Sequence, residues 1–216
     1  MKKIKYTPYN PNFKKINFPD ESWSYIAPTW GEMAEVYLDL AVRILEEEKN
    51  FDILVTLAKG GWTWARTMVD VLNIPHIASL ELTSYDPSQP GKRLKTPSLN
   101  IPLSIPLKGK RTLLFDDVND TGESLKWSVN YLNCFSPSSL TTATLFHKPH
   151  SIFKPDFYSI ETSAWIIFPH ERREAVVGLA KKWQKKGMSA EIIKKRLIKI
   201  GLVTKEVNLF LGLEGI

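Results

Sequence analysis

Thr112-Leu113-Leu114-Phe115-Asp116-Asp117-Val118-Asn119-Asp120-Thr121-Gly122-Glu123-Ser124-Leu125 is the stretch on which the reading of this chain turns. It opens as an apolar run ending at Phe115, long enough for a buried strand. Two adjacent carboxylates follow, then a small polar turn. Thr121 reads as the cap of a helix starting there, and Gly122 leaves its backbone open to close approach. A strand feeding a helix through such a turn aims several backbone N–H groups at one spot, which suits an anion such as phosphate. Asp116 and Asp117 would repel that phosphate. They can instead accept hydrogen bonds from vicinal hydroxyls or hold a hydrated Mg²⁺. A phosphate, a diol and a metal within a few ångströms point to a ribose phosphate.

A second stretch repeats the pattern. Phe51 to Leu57 reads as a strand, followed by Ala58-Lys59-Gly60-Gly61 and a helix through Trp64, Met68, Val71 and Leu72. The glycine pair makes another anion-binding turn, though Lys-Gly-Gly taken alone is also the composition of a flexible surface turn. His76 to Leu82 is the next strand. Residues 83–95 are crowded with Pro, Gly and Ser and read as a long loop, the usual form of a lid. Leu140 to Phe146 is a further strand. Strands alternating with helices predict an α/β fold, a mostly parallel sheet with helices on both faces. Ligands in such sheets bind beyond the carboxyl ends of the strands, so the two turns should meet in one crevice.

Three segments are expected: an irregular arm over 1–28, a core with a small hood over 29–171, and a basic helical extension over 172–216. Helix one should start at Thr29, its N-cap. The chain of 216 residues with 43% hydrophobic content suffices for one sizeable core. Its single cysteine, Cys134, excludes an internal disulfide framework and suits a reducing, cytoplasmic setting; packing near a helix end is the role expected of it. No signal-peptide pattern and no membrane-spanning run stand out. The net charge of +6 sits in the tail, where 172–216 carry 11 Lys and Arg against 4 Asp and Glu. Basic charge alone does not call for nucleic acid, and a solvated lysine-rich face is the expectation.

The stretch from the apolar run before Asp116 through Leu125 resembles the phosphoribosyl-pyrophosphate (PRPP) signature of type I phosphoribosyltransferases over about thirteen contiguous positions. The resemblance implies that residues 120–124, among them Asp120, Thr121, Gly122, Glu123 and Ser124, cradle the 5′-phosphate of PRPP. Asp116 and Asp117 would take the ribose hydroxyls, directly or through Mg²⁺. Ala58-Lys59-Gly60-Gly61 is similar to the family's pyrophosphate loop, which implies a cis peptide at Ala58–Lys59 and pyrophosphate held by Lys59, Gly60 and Gly61. Ser84 and Tyr85 match the family's mobile loop, with Lys92, Arg93 and Lys95 near the pyrophosphate; individually such cations are ordinary solvated charges. Asp120 matches the position of the general base beside purine N7, although it also reads as a helix N-cap.

His147-Lys148-Pro149-His150 and Ala164-Trp165-Ile166-Ile167-Phe168-Pro169-His170-Glu171 resemble the base-recognition hood of xanthine–guanine phosphoribosyltransferases. That implies Lys148 at the purine 6-oxo group, with Trp165 stacking on the base beside Ile166. Glu171 would be a third metal or base contact. An ammonium donates to a carbonyl oxygen and cannot accept from an amino group, which favours a 6-oxopurine over adenine. Trp165 in an apolar run is also the composition of a core residue, and His170 departs from the family pattern, where tryptophan is frequent. The implied activity is purine salvage: transfer of the phosphoribosyl group from PRPP to N9 of guanine, xanthine or hypoxanthine, in a homodimer or higher homo-oligomer. The alternatives are an enzyme for adenine or a pyrimidine, and a PRPP-sensing regulator whose basic tail touches DNA or RNA.

Overall fold

The computed structural model describes residues 5–47, 49–85 and 93–216, with the backbone alone at Ser84, Tyr85, Arg93 and Lys95. Along the chain run β1 (Tyr25–Ile26), α1 (Trp30–Glu46), β2 (Ile53–Ala58), α2 (Trp62–Val71), β3 (Ile77–Tyr85), β4 (Arg93–Ile101), β5 (Arg111–Asn119), α3 (Glu123–Asn133), β6 (Ser139–His147), β7 (Phe157–Glu161), β8 (Trp165–Ile166), α4 (Arg172–Lys185), α5 (Ala190–Ile200) and α6 (Thr204–Leu213). They form two compact units. The first holds Ala34–Thr162 and the chain's start as far as Tyr9; the second holds Asn10–Met33 and Ser163–Ile216.

The first unit is built on a six-stranded sheet of order β4-β3-β2-β5-β6-β7. Every neighbouring pair is parallel except β3 with β4. Ile53, Leu54 and Val55 of β2 and Leu113, Leu114 and Phe115 of β5 are all buried, as strands covered on both faces require. Leu57, Leu80 and Leu114 pack with Leu125 and Leu132 of α3 on one side of the sheet. From β2 the chain crosses through α2 to β3 on one side; from β5 it crosses through α3 to β6 on the other. The winding therefore reverses between β2 and β5, and their carboxyl ends flank the crevice that such a reversal opens.

The sheet corrects three sequence expectations. Residues 83–85 and 93–95 are not loop: they belong to the antiparallel hairpin β3–β4, with Tyr85 paired to Arg93. Pro97 is tolerated in β4 because that strand is an edge. The strand does not stop at Phe115 either; β5 runs through Asn119 and carries both aspartates, paired alongside β6 as far as Asn119 with His147. Finally, α3 starts at Glu123 rather than Thr121. Its N-cap is Gly122 with φ 85°, a residue with no side chain to cap with.

In the second unit the arm and the tail share one core. Ile16, Phe18 and Tyr25 pack with Trp183 of α4, Leu197 of α5 and Leu211 of α6. β1 pairs in parallel with β8, Tyr25 beside Trp165 and Ile26 beside Ile166. Glu21 is buried among cations: it accepts hydrogen bonds from Lys182 at 2.5 Å, Lys186 at 2.9 Å and Trp183 Nε1 at 2.8 Å. Thr29 caps α1 as expected, its Oγ1 accepting from the Glu32 amide at 3.1 Å while Glu32 accepts from the Thr29 amide at 2.7 Å. Ser189 caps α5 likewise. Ile193, Leu197 and Ile200 form the buried stripe of α5, while Ile192 is exposed. α6 begins at Thr204, with Val203 at its N-cap. Cys134, at the C-cap of α3, is exposed rather than packed.

Candidate active site

The loop after β2 and the loop after β5 meet at the winding reversal. The Ala58–Lys59 peptide is cis. Gly60 lies against the Asp117 side chain so closely that a Cβ on Gly60 would stand 2.7 Å from Oδ2 and 3.0 Å from Oδ1. A Cβ on Gly61 would strike the Thr56 hydroxyl and stand 3.2 Å from Asp116 Oδ1. Gly60 thus has no room for a side chain beside Asp117 of β5, and Gly61 none beside Thr56, with Asp116 next to it. Thr56 is fully buried, and its hydroxyl has no hydrogen-bond partner among the described residues. One recess is lined by Ala58, Gly60, Asp116, Asp117 and Ser124. A second, sharing Asp116 and Ser124, is lined by Asn119, Asp120, Thr121 and Gly122.

Asp117 is almost fully buried, and its amide donates to Asp116 Oδ1 at 3.0 Å. The turn from Asp120 to Gly122 is held from outside by the segment after β6. Ile152 N–H donates to Thr121 O at 2.9 Å, and Lys148 N–H donates to Asn119 O at 3.0 Å. Gly122 adopts a left-handed conformation, and a Cβ there would stand 2.7 Å from the Phe153 amide nitrogen and strike the Ser151 hydroxyl. Only glycine meets both demands. The first turn of α3, with Glu123 and Ser124, then presents its N–H groups and the positive end of the helix dipole to the recess.

Lys148 and Asp120 flank the other side. Lys148 is buried, 6% exposed. Burial holds its ammonium below the usual lysine value, opposed by the carboxylate of Asp120. Asp120 is exposed, and its Oδ1 lies 3.3 Å from His150 Nε2. Behind them Asn119 Nδ2 donates to Phe153 O at 2.6 Å and lies 3.0 Å from His147 Nδ1. The second hydrogen of that amide faces His147 Nδ1, an arrangement that fits the neutral ring with its proton on Nε2. Burial lowers its pKa in the same sense. This network, with Thr56 and Ser151, escaped the sequence reading. Asn119 and His147 could have been found from the strand period alone, which turns both inward at the ends of adjacent buried strands.

The remaining sequence candidates are placed as follows. Lys59 is exposed in the loop after β2. Ser84 and Tyr85 end β3 and Arg93 begins β4. Lys92 and the proposed lid over 86–92 lie outside the described residues. Trp165 and Ile166 belong to the second unit, where Trp165 is 45% exposed and so is not a core residue, whereas Ile166 is buried. Glu171, also of the second unit, precedes α4, its amide donating to Phe168 O at 3.3 Å.

The acidic pair suits magnesium of one kind. Among the described residues, no three His, Cys, Asp or Glu side chains are placed to hold a metal ion. Asp116 and Asp117 stand as a pair of hard oxygen donors. Such a pair fits Mg²⁺ that brings its remaining ligands as water and substrate oxygens, the usual habit of this ion. Among the described residues, no helix is long and apolar enough to cross a membrane.

A profile of the phosphoribosyl transferase domain matches residues 29–179. The chain is 31% identical over 108 residues to a hypoxanthine phosphoribosyltransferase of Haemophilus influenzae, a match that spans 48% of this chain and 58% of that protein. It is 28% identical over 130 residues to a hypoxanthine-guanine phosphoribosyltransferase of Dictyostelium discoideum, spanning 57% of this chain and 71% of the relative. Among solved structures, a purine phosphoribosyltransferase from Pyrococcus horikoshii superposes with a TM-score of 0.59 at 27% identity, covering 67% of this chain and 92% of that one.

Proposed function

The chain belongs to the phosphoribosyl transferase domain family, and from that premise we propose that it transfers the 5-phosphoribosyl group of PRPP to N9 of a 6-oxopurine, giving a nucleoside monophosphate and pyrophosphate. The observation that carries the proposal is the close fit of the loop after β2 to the carboxyl end of β5 at the winding reversal, Gly60 against Asp117 and Gly61 beside Asp116. That fit sets a main-chain anion site beside two carboxylates, the pairing a phosphorylated sugar diol needs.

Each residue has a chemical role in this reading. The turn 120–124, with the hydroxyls of Thr121 and Ser124 and the amides of Gly122 and Glu123, holds the 5′-phosphate. Asp116 and Asp117 take the ribose hydroxyls and would hold Mg²⁺, which when bound neutralises charge on the pyrophosphate. Lys59 and the Gly60 and Gly61 amides grip the leaving pyrophosphate. As the C1′–O bond breaks, negative charge grows on that group, and preorganised donors stabilise it more than they stabilise the intact substrate. The purine N9 forms the new bond to C1′. Asp120, exposed and not used as a cap, accepts the purine proton as general base. Lys148 donates to the 6-oxo oxygen; its poor hydration strengthens that bond. Trp165 and Ile166 serve the base by resemblance, and Glu171 the metal or the base. Ser84, Tyr85, Lys92 and Arg93 would exclude water over the reacting centre.

The proposal places the enzyme in the cytoplasm as a homodimer or larger homo-oligomer, which light scattering would measure directly. Activity is tested by mixing protein, Mg²⁺ and PRPP with guanine, xanthine, hypoxanthine, adenine or uracil and following nucleotide formation by absorbance. Turnover with at least one 6-oxopurine, abolished by chelating Mg²⁺, is expected. Turnover with adenine or uracil alone would reassign the base, and PRPP binding without any turnover would favour a sensor.

A further inference from the structure

We propose that the N-terminal arm is part of base recognition, with Trp23 acting as the positioning residue for Trp165; this deepens the reading above and rests on Trp165 being the stacking surface. Trp165 lies on a strand of only two residues, too short to fix a large ring by itself. Its main chain is tied to the arm: Trp165 N–H donates to Ser24 O at 2.8 Å, and Ile167 N–H donates to Ile26 O at 2.9 Å. Its indole is oriented by the arm as well. Tyr25 lies nearly parallel to it, 28° between planes and 6.3 Å between centroids, and Trp23 meets it at 43° and 5.5 Å.

The two contacts differ in kind. Tyr25 is wholly buried in the core of the second unit and is a fixed backing. Trp23 is 36% exposed beside the 45% exposed Trp165, so the two indoles form one half-solvated aromatic surface. A soluble domain leaves adjoining tryptophans half exposed at a cost, and a flat heteroaromatic ligand is the partner that such a surface fits. Trp23 is itself held: the Lys182 ammonium sits 4.1 Å over its ring, and Glu21 holds that ammonium at 2.5 Å. The chain Glu21, Lys182, Trp23, Trp165 thus conveys the rigidity of a partly buried ion pair to an exposed ring. Stacking on a ring fixed in advance avoids the entropy of ordering it at each encounter.

The experiment compares wild type with W23F, W23A, W165A and the double variant W23A/W165A. Steady-state kinetics are run with hypoxanthine varied at saturating PRPP and then the reverse, and inosine monophosphate binding is measured by calorimetry. Trp23→Ala should raise KM for the base and Kd for the nucleotide about 3- to 10-fold, the worth of an aromatic pair, with KM for PRPP and the thermal midpoint unchanged. Trp23→Phe should recover most of the loss. The double variant should be no worse than W165A, because Trp23 acts through Trp165. An unchanged KM for the base in W23A, or additive losses in the double variant, would overturn the inference. If wild-type protein neither turns over a purine nor binds the nucleotide, the activity reading itself fails, and the role of Trp23 falls with it.

Discussion

Gly60 has no room for a side chain because the carboxylate of Asp117 occupies that space, 2.7 Å from where a Cβ would stand. The contact couples the loop after β2 to the carboxyl end of β5. Gly60→Ala should therefore raise KM for PRPP about 5- to 150-fold, since accommodating one methyl in a tight site costs about 1–3 kcal/mol. Gly178 is the control: it lies in α4 with nothing within 4 Å of an added Cβ. Gly178→Ala should leave KM unchanged, and equal kinetics in the two variants would refute the coupling.

Asp120 separates binding from chemistry. It neither caps α3 nor is buried, so its removal should leave the turn intact. Asp120→Asn is expected to lower kcat about a hundredfold or more, within the range of a lost general base, with KM for PRPP changed less than about twofold. A collapse in PRPP affinity at constant kcat would instead make Asp120 a phosphate-site residue.

Lys148→Met keeps the volume and removes the donor. Loss of a hydrogen bond to a charged donor is worth about 1.5–3 kcal/mol, so kcat/KM for hypoxanthine or guanine should fall about 10- to 100-fold. Stability should hold or rise, because burial disfavours the ammonium that the substitution deletes. Unaltered kcat/KM measured across the three 6-oxopurines would remove Lys148 from the base site.

Acid should loosen the second unit through Glu21. Burial opposes ionisation of this carboxyl, yet hydrogen bonds from Lys182, Lys186 and Trp183 bring it from an ordinary 4.5 down to about 2. A carboxyl depressed in the folded state contributes stability in full above its unfolded value, and that contribution is lost as pH falls from about 4.5 to about 2. The shift is worth on the order of 3 kcal/mol at neutral pH. Glu21→Gln should lower the neutral-pH stability by an amount of that order and flatten the stability profile between pH 5 and 2, read as urea midpoints in that range. A wild-type profile already flat over that range would show that Glu21 contributes nothing of the kind.

The parallel sheet and the two ligand loops were legible in the sequence because each rests on local signals: apolar runs long enough for buried strands, and glycines where strand turns into helix. The cis Ala58–Lys59 bond was legible only by resemblance, since no composition signals a non-proline cis peptide. The β3–β4 hairpin was missed because Pro97 and the polar residues of 83–95 read as loop, and only an edge position makes such a strand tolerable. The apolar run ends at Phe115, yet pairing with β6 carries β5 past Asp116 and Asp117; sheet pairing overrides a weak strand propensity. The Asn119–His147 contact joins residues 28 apart in sequence, so its register appears only once β5 and β6 lie side by side. The exposure of Trp165 was equally hidden, because the arm that carries Trp23 and Tyr25 has no periodicity from which its course could be read.

The shared core of the arm and the three terminal helices has a consequence for synthesis. Phe18 and Tyr25 leave the ribosome well before Trp183, Leu197 and Leu211, which cover them. The arm must therefore wait, unsheltered, while the whole parallel sheet between them is made. Clipping either end leaves the other without its cover, so deletion of α6 and deletion of the first twenty-five residues should both yield chains that aggregate rather than shortened enzymes.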